Sequence, residues 1–141
     1  MFGLMTNPAA AYRKAGVETQ VATASPHQLV LMLYDGALKT IAAASLYLSQ
    51  GDIAGKGDAI GKAIDIIDGG LKACLNHQAG GDLADKLAAL YEYMCTRLLY
   101  ANLRNDQAAL AEVTRLLNDL RGAWEEISSD PAVLSQNRTA A

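Results

Sequence analysis

The chain has 141 residues, a formal charge of −3, 51% apolar and 19% charged residues. That length suits one domain whose core needs no metal or disulfide to hold it, and the composition excludes disorder throughout. With 12 Lys and Arg against 15 Asp and Glu, the chain lacks the basic footprint that nucleic acid requires.

Residues 1–22 contain Pro8, Gly16 and a small amphiphilic patch around Tyr12, Val17 and Val21. They are too short for a domain and are expected to form an arm, lying on the rest of the protein or loose in solution. The opening MFGLMTNPAAAYRKAG has no charged head before an apolar stretch, so no secretory signal is read and a cytoplasmic location is expected.

The first helix is expected over about 25–49. Ser25 reads as its N-cap, Pro26 as its first helical residue, and Gln28 sits where it closes a capping box. Its apolar run is broken by Asp35, Gly36 and Lys39, short of the ~18 unbroken apolar residues of a membrane span, so membrane insertion is not expected. A second helix, about 53–76, places Ile60, Ile64, Ile67, Leu71, Cys74 and Leu75 on one stripe. Gly69 and Gly70 inside it suggest a close helix contact or a bend.

Gly80-Gly81-Asp82 is the clearest interruption, with Asp82 as a cap. The third helix, about 82–103, carries Leu83, Leu87, Leu90, Met94 and Leu98 along one face, flanked by Tyr91, Cys95 and Tyr100. Arg104-Asn105-Asp106 makes a turn into the fourth helix, about 106–128, where Leu110, Val113, Leu117, Leu120, Trp124 and Ile127 stay in register. The tail, 129–141, is small and polar. Strand alternation is nearly absent, so the expected fold is all-α: an antiparallel up-and-down four-helix bundle, 23–128, with a short N-terminal arm.

Helix four shows what a bundle helix needs, with seven charged side chains over 106–127 and a single apolar stripe. Helix one differs, because between His27 and Leu48 only Asp35 and Lys39 are charged while large apolar residues point all round the axis. Burying one leucine-sized side chain contributes roughly 1.5–3 kcal/mol, so such a surplus predicts a cover: the arm, a second copy or a foreign chain. Helix three repeats the pattern more weakly through Leu90, Tyr91, Tyr93, Met94, Leu98, Leu99 and Tyr100. Tyrosine suits a surface that is wet at some times and covered at others.

Chemistry is not expected. His27 and His77 belong to no nucleophile constellation, and no Glu-x-x-His, phosphate-binding glycine loop or Cys-x-x-Cys occurs. Hence no metal, no cofactor and no catalytic residue is assigned. Cys74 and Cys95 are read as reduced core residues, with pairing or metal contact as the alternatives. Asp35, isolated in an apolar helix, either faces solvent or bonds a neighbouring element, Arg97 and Arg104 being the partners considered.

Tyr12, then Thr23-Ala24-Ser25-Pro26, Leu29-Val30 and Met32-Leu33-Tyr34-Asp35-Gly36-Ala37 resemble the opening signature of the FliS family of flagellar secretion chaperones. Gly80-Gly81-Asp82-Leu83-Ala84, Leu90-Tyr91-Glu92-Tyr93-Met94 and Leu120-Arg121-Gly122-Ala123-Trp124 continue it in order, over about residues 12–126. Asn76-His77-Gln78-Ala79 and Asp85-Lys86 depart from the family pattern and point to tuning of client choice. The resemblance implies a cytoplasmic, non-enzymatic chaperone. It would bind the disordered C-terminal segment of flagellin, prevent early polymerisation and keep the client competent for the flagellar type III export apparatus. It also implies that Tyr12 covers part of the groove before flagellin arrives, and leaves open a homodimer or contact with a flagellar regulatory protein. The expected protein-contacting residues are Tyr12, Leu31, Met32, Tyr34, Leu38 and Ile41, with Tyr47, Leu90, Tyr93 and Met94. The alternative reading is a structural or self-associating bundle, acting as an adaptor for another protein.

Overall fold

A computed structural model describes residues 24–127; the arm with Tyr12 and the tail fall outside them. Helix α1 spans Pro26–Ser49. Its capping box is formed, the Gln28 N–H donating to Ser25 Oγ at 3.2 Å and the Ser25 N–H to Gln28 Oε1 at 3.0 Å. Gly51, at φ +75°, makes the turn that an L side chain would resist, and Asp52 then caps α2, Ile53–Ile66, by accepting from the Gly55 N–H at 2.9 Å.

Helix α2 passes directly into a π-helical turn, Ile67–Leu71, and a 3-10 turn, Lys72–Cys74. The wider π turn re-phases the apolar face. Consequently Ile60, Ala63, Ile66, Ile67, Gly70 and Leu71 are buried, while Ile64 of the expected stripe is only half-buried. Gly70 allows a close approach: a Cβ there would lie 2.9 Å from Leu33 Cδ2.

Helix α3 spans His77–Arg104, capped by Asn76, and so begins before the expected Asp82. The predicted interruption is a kink within it, at Gly81 with φ 51° and ψ −125°, after one helical turn. Asn105 ends α3 in the left-handed region at φ 52°. Asp106 caps α4, Gln107–Glu126, by accepting from the Ala108 N–H at 2.9 Å.

Helix α1 packs on α2 and α4, and α3 closes the ring against the same two helices. The architecture is an all-α up-and-down bundle, with no strand among the described residues. Its centre holds Leu33, Tyr34, Ala37 and Ile41 from α1, with Ile60, Ile66, Met94, Leu98, Leu110 and Leu117 from the others. Buried Ala37, Ala44, Ala63, Ala101 and Ala109 let the helix axes come close.

Polar ties join the helices at specific heights. The buried hydroxyls of Tyr34 and Tyr91 lie 2.6 Å apart. The Lys56 ammonium, 2% exposed, donates to the Asn102 carbonyl at 2.8 Å and to Asn105 Oδ1 at 2.6 Å, satisfying the C-terminal end of α3. Asp35 pairs with neither Arg97 nor Arg104. Its partner is Arg121 of α4, at 2.5 Å, while Arg97 is engaged by Glu112 at 2.7 Å.

By length and composition α1 is apolar enough to cross a membrane, yet it supplies the middle of the bundle core. Only 33% of its most apolar stretch is buried. Of the large apolar side chains of α1, Leu33, Tyr34 and Ile41 are in the core, Leu29, Val30, Met32, Leu38 and Leu48 are partly buried against it, and Leu46 and Tyr47 are exposed.

Candidate protein-binding surface

Helices α1 and α4 run side by side but leave a groove of about 510 Å³ between them, lined by Ile41, Ala42, Ser45, Gln107, Leu110, Ala111, Thr114 and Arg115. Its apolar floor is Ile41 and Leu110, each 1% exposed. One end is fixed by a reciprocal pair: Ser45 Oγ donates to Gln107 Oε1 at 2.7 Å, and Gln107 Nε2 donates to the Ser45 carbonyl at 2.9 Å. Leu38 and Leu31 extend the line of Ala42 and Ser45 along α1 at helical spacing, and both are half-buried.

On α3, Tyr93 and Arg97 clamp Glu112 of α4: the tyrosine hydroxyl donates to Oε2 at 2.5 Å and the guanidinium Nε to Oε1 at 2.7 Å. These donors hold the Glu112 carboxyl below its usual range, and the same bond pushes the Tyr93 phenol up. Arg97 also lies over the Tyr100 ring, 4.8 Å from its centroid. Next to this polar seam, Leu99 and Leu103 stand exposed, Leu103 at 79%.

The residues singled out from the sequence separate into three groups. Tyr34, Ile41 and Met94 are core residues, although Ile41 also floors the groove. Leu31, Met32, Leu38 and Leu90 are half-buried. Tyr47 and Tyr93 are exposed, and Tyr47 lies over the backbone of Gly55 in the first turn of α2, where a Cβ would lie 2.9 Å from its ring. Tyr12 lies outside the described residues.

Sequence reasoning passed over Leu46, Leu99 and Leu103 as contact residues, all of them exposed. A signal was available for the last two. Glu92, Thr96, Leu99 and Leu103 share one helical stripe, so leucines there sit on a polar face and have no core to fill.

Nothing in this surface suits covalent chemistry. The described residues hold no cluster of His, Cys, Asp and Glu that could bind a metal. Cys74 and Cys95 are free, and burial pushes both thiols up to about 11, leaving little thiolate at neutral pH. The arrangement offers apolar grooves edged by fixed polar groups, which is what a helical or extended peptide requires.

Comparison with known proteins agrees with that character. The family described as flagellar protein FliS matches residues 8–131. The flagellar secretion chaperone FliS of Salmonella typhimurium is 52% identical over 118 residues, 84% of this chain and 87% of that protein. Its counterpart in Escherichia coli is 44% identical over 88% of this chain and 91% of its own length, and that of Bacillus subtilis 38% identical over 85% of each. A match of this extent, carried by an all-helical bundle, shows that the chain belongs to the FliS family of flagellar secretion chaperones.

Proposed function

We propose that this protein captures the disordered C-terminal segment of flagellin in the cytoplasm, prevents its premature polymerisation and keeps it competent for flagellar type III export. The observation that carries the reading is the apolar surface that α1 keeps at least partly open, with Leu46 and Tyr47 exposed and Leu31 and Leu38 half-buried. Ordering a disordered client costs several kcal/mol, so its capture needs apolar contact over a long path. The α1–α4 groove, extended by Leu31 and Leu38, offers one stretch of such contact, and the exposed Tyr93, Leu99 and Leu103 of α3 offer a second.

Capture in this scheme exchanges one apolar cover for another. Tyr12 and the arm cover part of the path when no client is bound, and the client displaces them. No nucleotide is required, and release follows from handover at the export apparatus. The test is titration of the purified protein with a peptide carrying the cognate flagellin C-terminal segment, with light scattering to give the mass of the complex. A one-to-one complex that is lost in Leu38→Asp, at unchanged helicity, is expected. No association at tens of micromolar, about −6 kcal/mol of binding free energy, would overturn the assignment. A wild-type protein that is already a stable dimer through the same residues would favour the self-associating adaptor instead.

A further inference from the structure

A second concavity, at the end of the bundle, belongs to neither the α1–α4 groove nor the α3 surface. It measures about 610 Å³ and is lined mainly by apolar groups, among them Leu75, Leu83, Leu87 and Trp124. Leu83 on this wall is 64% exposed. Trp124 is held rigidly, because its indole N–H donates to the His27 carbonyl at 3.1 Å and its ring stacks on His27 at 4.7 Å.

The chain leaves the described region beside this wall, since α4 ends at Glu126, within one turn of Trp124. The segment that follows reads SSDPAVLSQNRTAA. Pro131 in this segment disfavours helical backbone at the residue before it. Residues 131–137 carry no charge and include two large aliphatic side chains, Val133 and Leu134. The path from Ile127 to Leu134 spans at most about 25 Å when extended, whereas Trp124 lies only about 5 Å back along α4. The tether is therefore long enough to return to the pocket.

We propose that Val133 and Leu134 of the same chain dock in this pocket against Trp124 and Leu83, as a tethered apolar plug. A short linker gives an effective concentration on the order of millimolar, so a contact too weak to detect between separate molecules is populated within one. Any partner reaching this end of the bundle has to displace the plug, which makes the tail a built-in competitor for the pocket. The family match stops at residue 131, so the plug lies beyond what the match covers. The inference does not depend on which client the chaperone carries.

Trp124 is the only tryptophan in the sequence, and its emission therefore reports on the pocket directly. In the full-length protein, Leu134→Asp is expected to shift the emission to the red and increase acrylamide quenching, with unchanged helicity, whereas Leu134→Met leaves both as they are. Nuclear Overhauser contacts between the Leu134 methyls and the Trp124 indole are expected in the unmodified protein. Unaltered emission in Leu134→Asp, or absence of those contacts, overturns the proposal. A red shift produced by Tyr12→Asp but not by Leu134→Asp also overturns it, and assigns the pocket to the arm. A red shift on dilution, with light scattering reporting dissociation of a dimer, overturns it in favour of a second copy.

Discussion

The hydroxyl pair of Tyr34 and Tyr91 allows a double-mutant cycle whose outcome is set by desolvation. Both rings are 3% exposed, and the two oxygens, 2.6 Å apart, are each other's partner across α1 and α3. Replacing either tyrosine with phenylalanine leaves the opposite hydroxyl buried and unpaired, at a cost of about 1–3 kcal/mol. Replacing both removes donor and acceptor together and is expected to cost well under the sum of the single changes. Urea denaturation followed by circular dichroism measures all four proteins, and about 1 kcal/mol or more of coupling is expected. The alkaline limb provides a second readout. Burial pushes both phenols above their ordinary value, so the folded state holds these protons more tightly than the unfolded chain. Their contribution is complete below about pH 10 and is lost as pH rises further. The double variant should lose that part of the alkaline sensitivity while keeping the part due to Cys74 and Cys95, whose thiols titrate at about 11. Strict additivity of the two single changes would refute the reasoning.

Lys56→Met removes the ammonium that satisfies Asn102 and Asn105; hydrogen bonds to charged groups contribute about 1.5–3 kcal/mol, and a loss of that size is expected in urea. The glycines of the described helices should respond in opposite directions. Gly70→Ala forces a methyl to 2.9 Å from Leu33 Cδ2 and should destabilise by about 1–3 kcal/mol, whereas Gly122→Ala meets nothing within 4 Å and should gain up to about 1 kcal/mol from helix propensity; thermal unfolding separates the two. His27 is 5% exposed and neither ring nitrogen has a hydrogen-bond partner. Burial lowers its pKa from 6.5, so the stability tied to its neutral form is present above pH 6.5 and is lost as pH falls through the folded value. His27→Phe retains the stack on Trp124 and should flatten the pH dependence of urea midpoints below 6.5, and a slope unchanged from the parent protein would count against the assignment.

The parts of the fold that were legible in the sequence are those fixed within a few residues. Ser25-Pro26-His27-Gln28 carries its capping box in four positions, and Gly81 marks the kink because its backbone has a positive φ that other residues resist. Gly69-Gly70 marked the close contact, which Leu33 makes on Gly70, but the π turn after Ile66 was not legible, since periodicity alone does not show where a helix widens. The partner of Asp35 was missed for a similar reason: Arg121 is 86 residues away, and nothing local distinguishes it from Arg97 or Arg104. Periodicity also could not sort α1. The helix packs on both α2 and α4, so its buried arc is broad, and Tyr34, which reads as a wettable residue, turns out to be sealed by Tyr91.

That sorting bears on the proposed exchange of covers. Leu33, Tyr34 and Met94 touch the interior and are at most 3% exposed, so they cannot change partner unless the bundle opens; Leu33→Asp would accordingly report on folding and not on client capture. Leu31, Met32 and Leu38 are half-buried, Met32 and Leu38 with one side against the core, and Tyr47 is exposed, so each keeps open area that a cover can take up. Under the proposed function, the difference between the empty and loaded states is carried by this second set. Substitutions there should alter client affinity far more than stability, and those in the first set the reverse. On that proposal the surplus on α1 divides by depth: its inner part holds the bundle together, and its outer part exchanges partners.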